Sequence, residues 1–355
     1  MSLEFQPTEI VINVFMNCPD VQTVLALALT CKRFKNIYNS SRKLPILEHA
    51  AEAQYGPLTD AIQLLTHNAS QPAHLIRNVP FSVTLVKQIV HIGSIAEKWC
   101  DIYPFKKWKH NYEDRRLLTS DERYKFRRGL YRLWLYSRAF YNARHTRTAR
   151  MHFPVLRERA ELLHNWTTAE LAEMADVHIV LREVVHGNVC PSNGTIARKF
   201  KKRHPVHGDH QLLFNIHLNY PPPPMPPFMS TSPHHNPTVP VNHFAYSRSN
   251  TRNSKYTPTP FHEVGAEGWG DDIGHYYIVE DMMKLDPEQI LWLKENAPLK
   301  GQVEGYVRGL GDWFENNGET WSQTLQWVLG QRGDDRGELE DNVQDGVWGV
   351  ATWED

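Results

Sequence analysis

Between Pro45 and Phe200 most apolar residues recur at spacings of three and four, the period of a helix laid on a core. That spacing predicts helices rather than strands, and it makes the chain mainly α. In TTAELAEMADVHIVLREVV, Thr167 and Glu170 stand at the spacing of a capping box. Behind them runs an apolar stripe through Leu171, Met174, His178, Leu181 and Val185. In SDERYKFRRGLYRLWLYSRAFYN, Ser120 is expected to cap a long helix, with Asp121 and Glu122 in the positive first turn. Phe126, Leu130, Leu133, Ser137 and Phe140 then follow four and three apart.

The helical pattern stops where proline takes over. From His204 to Pro260 the chain carries PPPPMPP at Pro221 to Pro227 and further prolines among Ser, Thr, Asn and His. Proline fixes φ and removes an amide donor, so this stretch is read as a connector of extended or polyproline type. The run QLLFNIHLN inside its leading edge reads as a short strand or an extended arm. Beyond it, Asp286, Pro287 and Glu288 form a helix start, with the acid as cap and proline at the first helical position. A helix from Gly301 to Asn316 is expected to stop at Asn317-Gly318, and another bearing Trp321, Leu325 and Val328 to stop at Gly333. The acidic end, with Trp348 and Trp353, reads as a tail docked by its tryptophans. Four parts result: 1–48, a helical region 49–200, a Pro/His-rich connector 201–262, and a C-terminal helical region 263–355 with an acidic tail.

A chain of 355 residues can bury the cores of two modest domains. Its 39 Lys and Arg against 40 Asp and Glu give a net charge of −1, and so no overall pull toward nucleic acid or an acidic membrane. The balance conceals a split. Lys98 to Arg150 holds 15 Lys and Arg against 5 Asp and Glu, while His262 to Asp355 holds 6 against 21. Cys18, Cys31, Cys100 and Cys190 form no C-x-x-C pair, so reduced thiols are expected rather than a zinc ribbon or a disulfide framework. No basic start with an apolar run opens the chain and no long apolar stretch interrupts it, so a soluble, unsecreted protein without membrane attachment is expected. The histidines of HPVHGDH and SPHHNP lack helical spacing and are flanked by proline, so they read as loop residues and not metal ligands. No nucleophile elbow, P-loop or dinucleotide fingerprint is present, and neither a catalytic residue nor a cofactor is expected.

The segment QPTEIVINVFMNCPDVQTVLALALTCKRFKNI is punctuated in a definite order. Pro7 and Glu9 open a helix with Ile10, Val11, Val14 and Phe15. Pro19 and Asp20 break it and cap a second helix with Val21, Val24, Leu25, Ala28 and Leu29; Thr30 is expected to cap a third, with Phe34 and Ile37 facing inward. Three such short helices carry more apolar surface than they can bury among themselves, so something else must cover part of it.

This order resembles the F-box: a Pro-x-Glu-Ile opening at Pro7, Glu9 and Ile10, a Pro-Asp break, a Leu-rich second helix, and Cys31-Lys32-Arg33-Phe34 where the family has Cys-Lys-Arg-Trp. Gln6 stands in place of the family's leucine before the proline, and Phe34 in place of its tryptophan. LYRLWLYSRAF and LGDWFENNGETW, in turn, are similar to stretches of F-box proteins of filamentous fungi. The resemblance implies a three-helix unit that docks on the Skp adaptor of a cullin-RING ubiquitin ligase, with Pro7, Glu9, Ile10, Val14, Leu25, Leu29 and Phe34 as adaptor-binding residues. It implies a non-catalytic receptor in the cytoplasm or nucleus that brings a protein client to ubiquitination. Trp108, Trp134, Trp313 and Trp321 are the expected client anchors, because tryptophan dominates interface energetics. Three alternatives stand beside this: an adaptor-bound protein acting outside a cullin ligase, a nucleic-acid-associated factor using the basic aromatic region 98–150, and an enzyme whose F-box only controls its turnover.

Overall fold

The computed structural model describes residues 5–196, 198, 268–270 and 272–352. The expected connector 201–262, with its QLLFNIHLN run and its histidines, lies outside the described residues, as does Trp353. Among the described residues the secondary structure is helical and no strand occurs. None of the described helices is long and apolar enough to cross a membrane. They divide into two compact units, one of Met1–Glu183, Leu285–Gln289 and Glu319–Asp355, the other of Val184–Lys284 and Ile290–Gly318.

The first unit begins with α1 (Thr8–Met16), α2 (Val21–Thr30), α3 (Lys32–Tyr38), α4 (Lys43–Tyr55) and α5 (Leu58–Thr66). Asp20 caps α2, its carboxylate accepting from Thr23 N at 2.6 Å. The cap of α3 is Cys31 rather than Thr30, which ends α2; the Cys31 Sγ accepts from Phe34 N at 3.4 Å. The expected boundary at residue 48 falls inside α4, because Ile46, Leu47, Ala50 and Ala51 of that helix complete the core begun by Val11, Phe15, Val24 and Phe34. Burial of the larger of these side chains, such as Ile46 and Leu47, contributes roughly 1.5–3 kcal/mol each, which favours a continuous helix here over a linker.

Two long helices follow: α6 (Val83–Lys107), whose Leu85, Val86 and Ile89 join that core, and α7 (Ser120–Phe140). Ser82 caps α6, and Gly93 lets it approach α4 so closely that a methyl at 93 would overlap the Tyr55 ring. The cap of α7 is Thr119, one residue before the expected Ser120, since Glu122 closes a full capping box with it. Then come α8 (Phe153–His164) and α9 (Thr168–Val184), where the Thr167–Glu170 box forms as read, with Glu170 N donating to Thr167 Oγ1 at 3.3 Å. The unit is completed by α14 (Trp321–Arg332), ended by Gly333 at φ 84°, and α15 (Arg336–Gln344).

The second unit follows α9 through a π-helical turn, Val185–Val189, and includes α10 (Asp272–Met282), most of α11 (Pro287–Asn296), α12 (Lys300–Gly309) and α13 (Trp313–Asn316). The single helix expected over 301–316 is two, because Gly311 adopts φ 92° between them. Buried Lys284 donates to the Phe314 and Asn317 carbonyls and lies 3.6 Å from Asp281, so its charge is compensated where water is excluded. The C-terminal helical region read as 263–355 contributes to both units.

Candidate functional site

Among the described residues, α1 and α2 each leave one side without a packing partner. In α1 the Val11 and Phe15 side is buried, and Phe15 meets Phe34 edge-on at 6.2 Å. Helical periodicity then forces Ile10 and Val14 toward the other side: Ile10 is 44% exposed and Val14 half-buried. In α2 the buried line is Val21, Val24 and Ala28, so Leu25, at 44%, and Leu29, at 77%, face outward. Arg33 ties the α2–α3 junction to the start of α1, donating from one guanidinium nitrogen to the Gln6 carbonyl at 2.6 Å and approaching Thr8 Oγ1 at 3.4 Å. Leu29 lies four residues before this clamp, and Pro7, Glu9 and Ile10 at the start of α1 are exposed.

Of the expected contact residues, Pro7, Glu9, Ile10, Leu25 and Leu29 are accessible and Val14 partly so. Phe34, expected to face inward, is 5% exposed and belongs to the core beneath these side chains, where it can support them but not touch a partner. Phe5, beside the Gln6 that replaces the family's leucine, is 82% exposed just ahead of α1; what sequence reading missed is the Arg33 clamp. The signal for the clamp was the abrupt basic turn after the Leu and Ala run.

The expected client anchors fare differently. Trp134 and Trp321 are buried in the first unit, Trp321 meeting Tyr136 edge-on at 5.4 Å, and Trp108 is buried with Arg116 over its face. These three are core side chains and present nothing to a partner. Trp313, in the second unit, is half-buried against Phe314.

The basic stretch 98–150 is largely answered by acids of its own unit. Arg116 pairs with Glu122, Arg123 with Glu97 and Asp101, and Arg127 with Glu97; Arg128 pairs with Glu173 and Arg132 with Asp60. Burial and the Arg116 and Thr119 hydrogen bonds act oppositely on Glu122, and the bonds prevail, holding its carboxyl below the usual range. A guanidinium engaged in this way must break a pair before it can meet a phosphate. The Asp60 carboxyl, by contrast, is raised by burial despite its contact with Arg132. Among the described residues, no group of three or more His, Cys, Asp or Glu is arranged to hold a metal.

The acidic tail is anchored by Leu339, Val343 and Val350, all buried, rather than by Trp348, which is exposed. The Val350 amide donates to Asp176 at 3.0 Å, and Gly349, at φ 113°, leaves room for that carboxylate where a Cβ would lie 2.7 Å from it.

No protein-family model, curated protein or solved structure matches the chain.

Proposed function

We propose that the chain is the substrate receptor of an F-box-type cullin-RING ubiquitin ligase, docking on the Skp adaptor through the outward face of α1 and α2. The observation that carries this reading is that Ile10, Leu25 and Leu29 are exposed while the opposite sides of the same helices are fully packed. Apolar side chains set outward on a rigid base, in the order of the F-box punctuation, make the kind of surface that a partner covers. The receptor performs no bond chemistry itself. It holds a client near a ubiquitin-loaded enzyme, so that transfer becomes effectively intramolecular, and it works where such ligases do, in the cytoplasm or nucleus.

The test is co-purification with the adaptor and a cullin. Wild-type protein should bring down both. The double substitution Ile10→Asp and Leu29→Asp should release both while leaving the helical signal unchanged, because neither side chain is in the core. Undiminished adaptor binding by that variant removes the docking assignment. Adaptor binding without cullin recruitment leaves a docking protein that works outside a ligase.

A further inference from the structure

A second apolar surface stands apart from the N-terminal one. Met151 and Phe153 are 64% and 63% exposed on the segment leading into α8, and the half-buried Trp327 of α14 lies against them. The Phe153 and Trp327 rings meet edge-on at 6.5 Å, His164 adds a ring 6.3 Å from Trp327, and Gln323 donates to the Met151 sulfur. The surface is built from below by one buried side chain. Arg159, 1% exposed, donates from Nε to Thr324 Oγ1 of α14 at 3.0 Å and from its terminal nitrogen to the Arg150 carbonyl at 2.8 Å. A single planar guanidinium thus fixes the segment bearing Met151 and Phe153 against the helix bearing Trp327, and a surface fixed in advance loses little entropy on binding.

The segment that leads into it carries charge of one sign. From Arg144 to Arg157 the chain holds four arginines and no Asp or Glu, and Trp321 to Arg332 contains no acid at all. Glu158 and Glu161 come next on α8, and Glu161 is drawn to Arg157 at 3.0 Å and to His74 at 3.5 Å. Arg144 is exposed and donates to a backbone carbonyl, that of Ala69, rather than to an acid.

We propose that the Met151, Phe153 and Trp327 surface seats an acidic protein segment carrying a bulky apolar side chain, which packs on the Phe153 and Trp327 rings while its carboxylates face Arg147 and Arg150. An aromatic anchor at the centre and charge complementarity at the rim are what fit this occupant rather than a basic or uncharged one. The proposal deepens the receptor reading by naming the chemistry of the client it would hold, and its test needs no adaptor.

Full-length protein is applied to an array of short synthetic peptides graded from strongly acidic to strongly basic, each made with Phe, Leu or Ser at the centre. Binding should rise with negative charge, fall with added salt, and drop about tenfold when the central residue is Ser, as for loss of a central anchor. Two pairs of substitutions are run in parallel: Met151→Ser with Phe153→Ser, both exposed, which should lose the preference for Phe and Leu, and exposed Arg147→Glu with half-buried Arg150→Glu, which should lose or invert the charge preference. No charge preference in the wild type, or preferences that survive both pairs of substitutions, overturns the proposal. Adaptor binding by the same samples separates the two readings. Its failure in the wild type sinks the docking assignment without touching this surface, whereas its retention in variants that have lost peptide binding confines the effect to the client side.

Discussion

The Tyr103 hydroxyl donates to the Asp176 carboxylate at 2.7 Å, and neither side chain reaches solvent. The same carboxylate takes Lys107 Nζ at 2.9 Å and the Val350 amide at 3.0 Å, and Lys107 also donates to the Val343 carbonyl at 2.6 Å. One buried acid on α9 therefore joins α6 to the C-terminal segment. Asp176→Ala would leave a nearly buried ammonium without its counter-charge and two further donors unanswered, a loss of about 3–5 kcal/mol. Tyr103→Phe removes one donor to a carboxylate and should cost less, about 1.5–3 kcal/mol. Urea denaturation of both variants reads the difference. Equal midpoints for Asp176→Ala and wild type contradict the clasp.

Trp134 and Trp321 separate core from surface. Both are buried, so Trp134→Ala and Trp321→Ala should each destabilise the first unit by about 3–5 kcal/mol through lost burial and the cavity left behind. Phe153→Ser, at an exposed position, should change stability by about 0.5 kcal/mol or less. Thermal melts followed by circular dichroism rank the three. A stable Trp134→Ala variant would return that tryptophan to the list of contact candidates.

The pattern legible in the sequence is the one set locally. The Thr167–Glu170 box, the Asp20 and Asp286 caps and the stop at Gly333 depend on residues within one turn, and they form where they were read. Where the reading slipped by one residue, at Thr119 and Cys31, two polar neighbours competed for one cap and the bond to the third residue inside decided between them. Burial of the tryptophans was not legible, because the same residue type anchors interfaces and fills cores, and only the packing of α6, α7 and α14 distinguishes the two. The Asp176 clasp and the Arg159 brace likewise join residues more than 160 positions apart, to Val350 and Thr324, and leave no local period.

His178 makes stability depend on acid. Its ring lies 6.1 Å from Trp321, and its Nε2 is shut from solvent with no hydrogen-bond partner among the described residues. Burial first, then Arg182 and Arg336, pushes its pKa down from 6.5 to about 3. The unfolded chain therefore takes up this proton first as pH falls below the ordinary histidine value, and the neutral folded form loses stability across the window from 6.5 down to about 3. For one group the loss between pH 7 and pH 5 is at most about 2 kcal/mol. His178→Gln cannot titrate, so its urea midpoint should fall less than that of the wild type over the same interval. Identical falls would mean that His178 is protonated in the folded chain as readily as in the unfolded one.

The thiols offer a footprint of the proposed docking face. Cys18, Cys100 and Cys190 are buried, and burial raises all three pKa values, which keeps the reactive thiolate scarce. Cys31 is half-buried at the α2–α3 junction, two residues from the exposed Leu29 and two from the Arg33 clamp. A thiol-specific reagent such as Ellman's should accordingly react quickly with one cysteine of the native chain and slowly with the rest, and Cys31→Ser should abolish the fast phase. If the adaptor covers Ile10, Leu25 and Leu29, saturating adaptor should slow that phase about tenfold or more, since a reagent must wait for dissociation to reach a covered site. The Ile10→Asp and Leu29→Asp variant should keep its fast phase at any adaptor concentration. A fast phase that the adaptor leaves unchanged in the wild type, while the two proteins co-purify, would place the contact elsewhere on the chain.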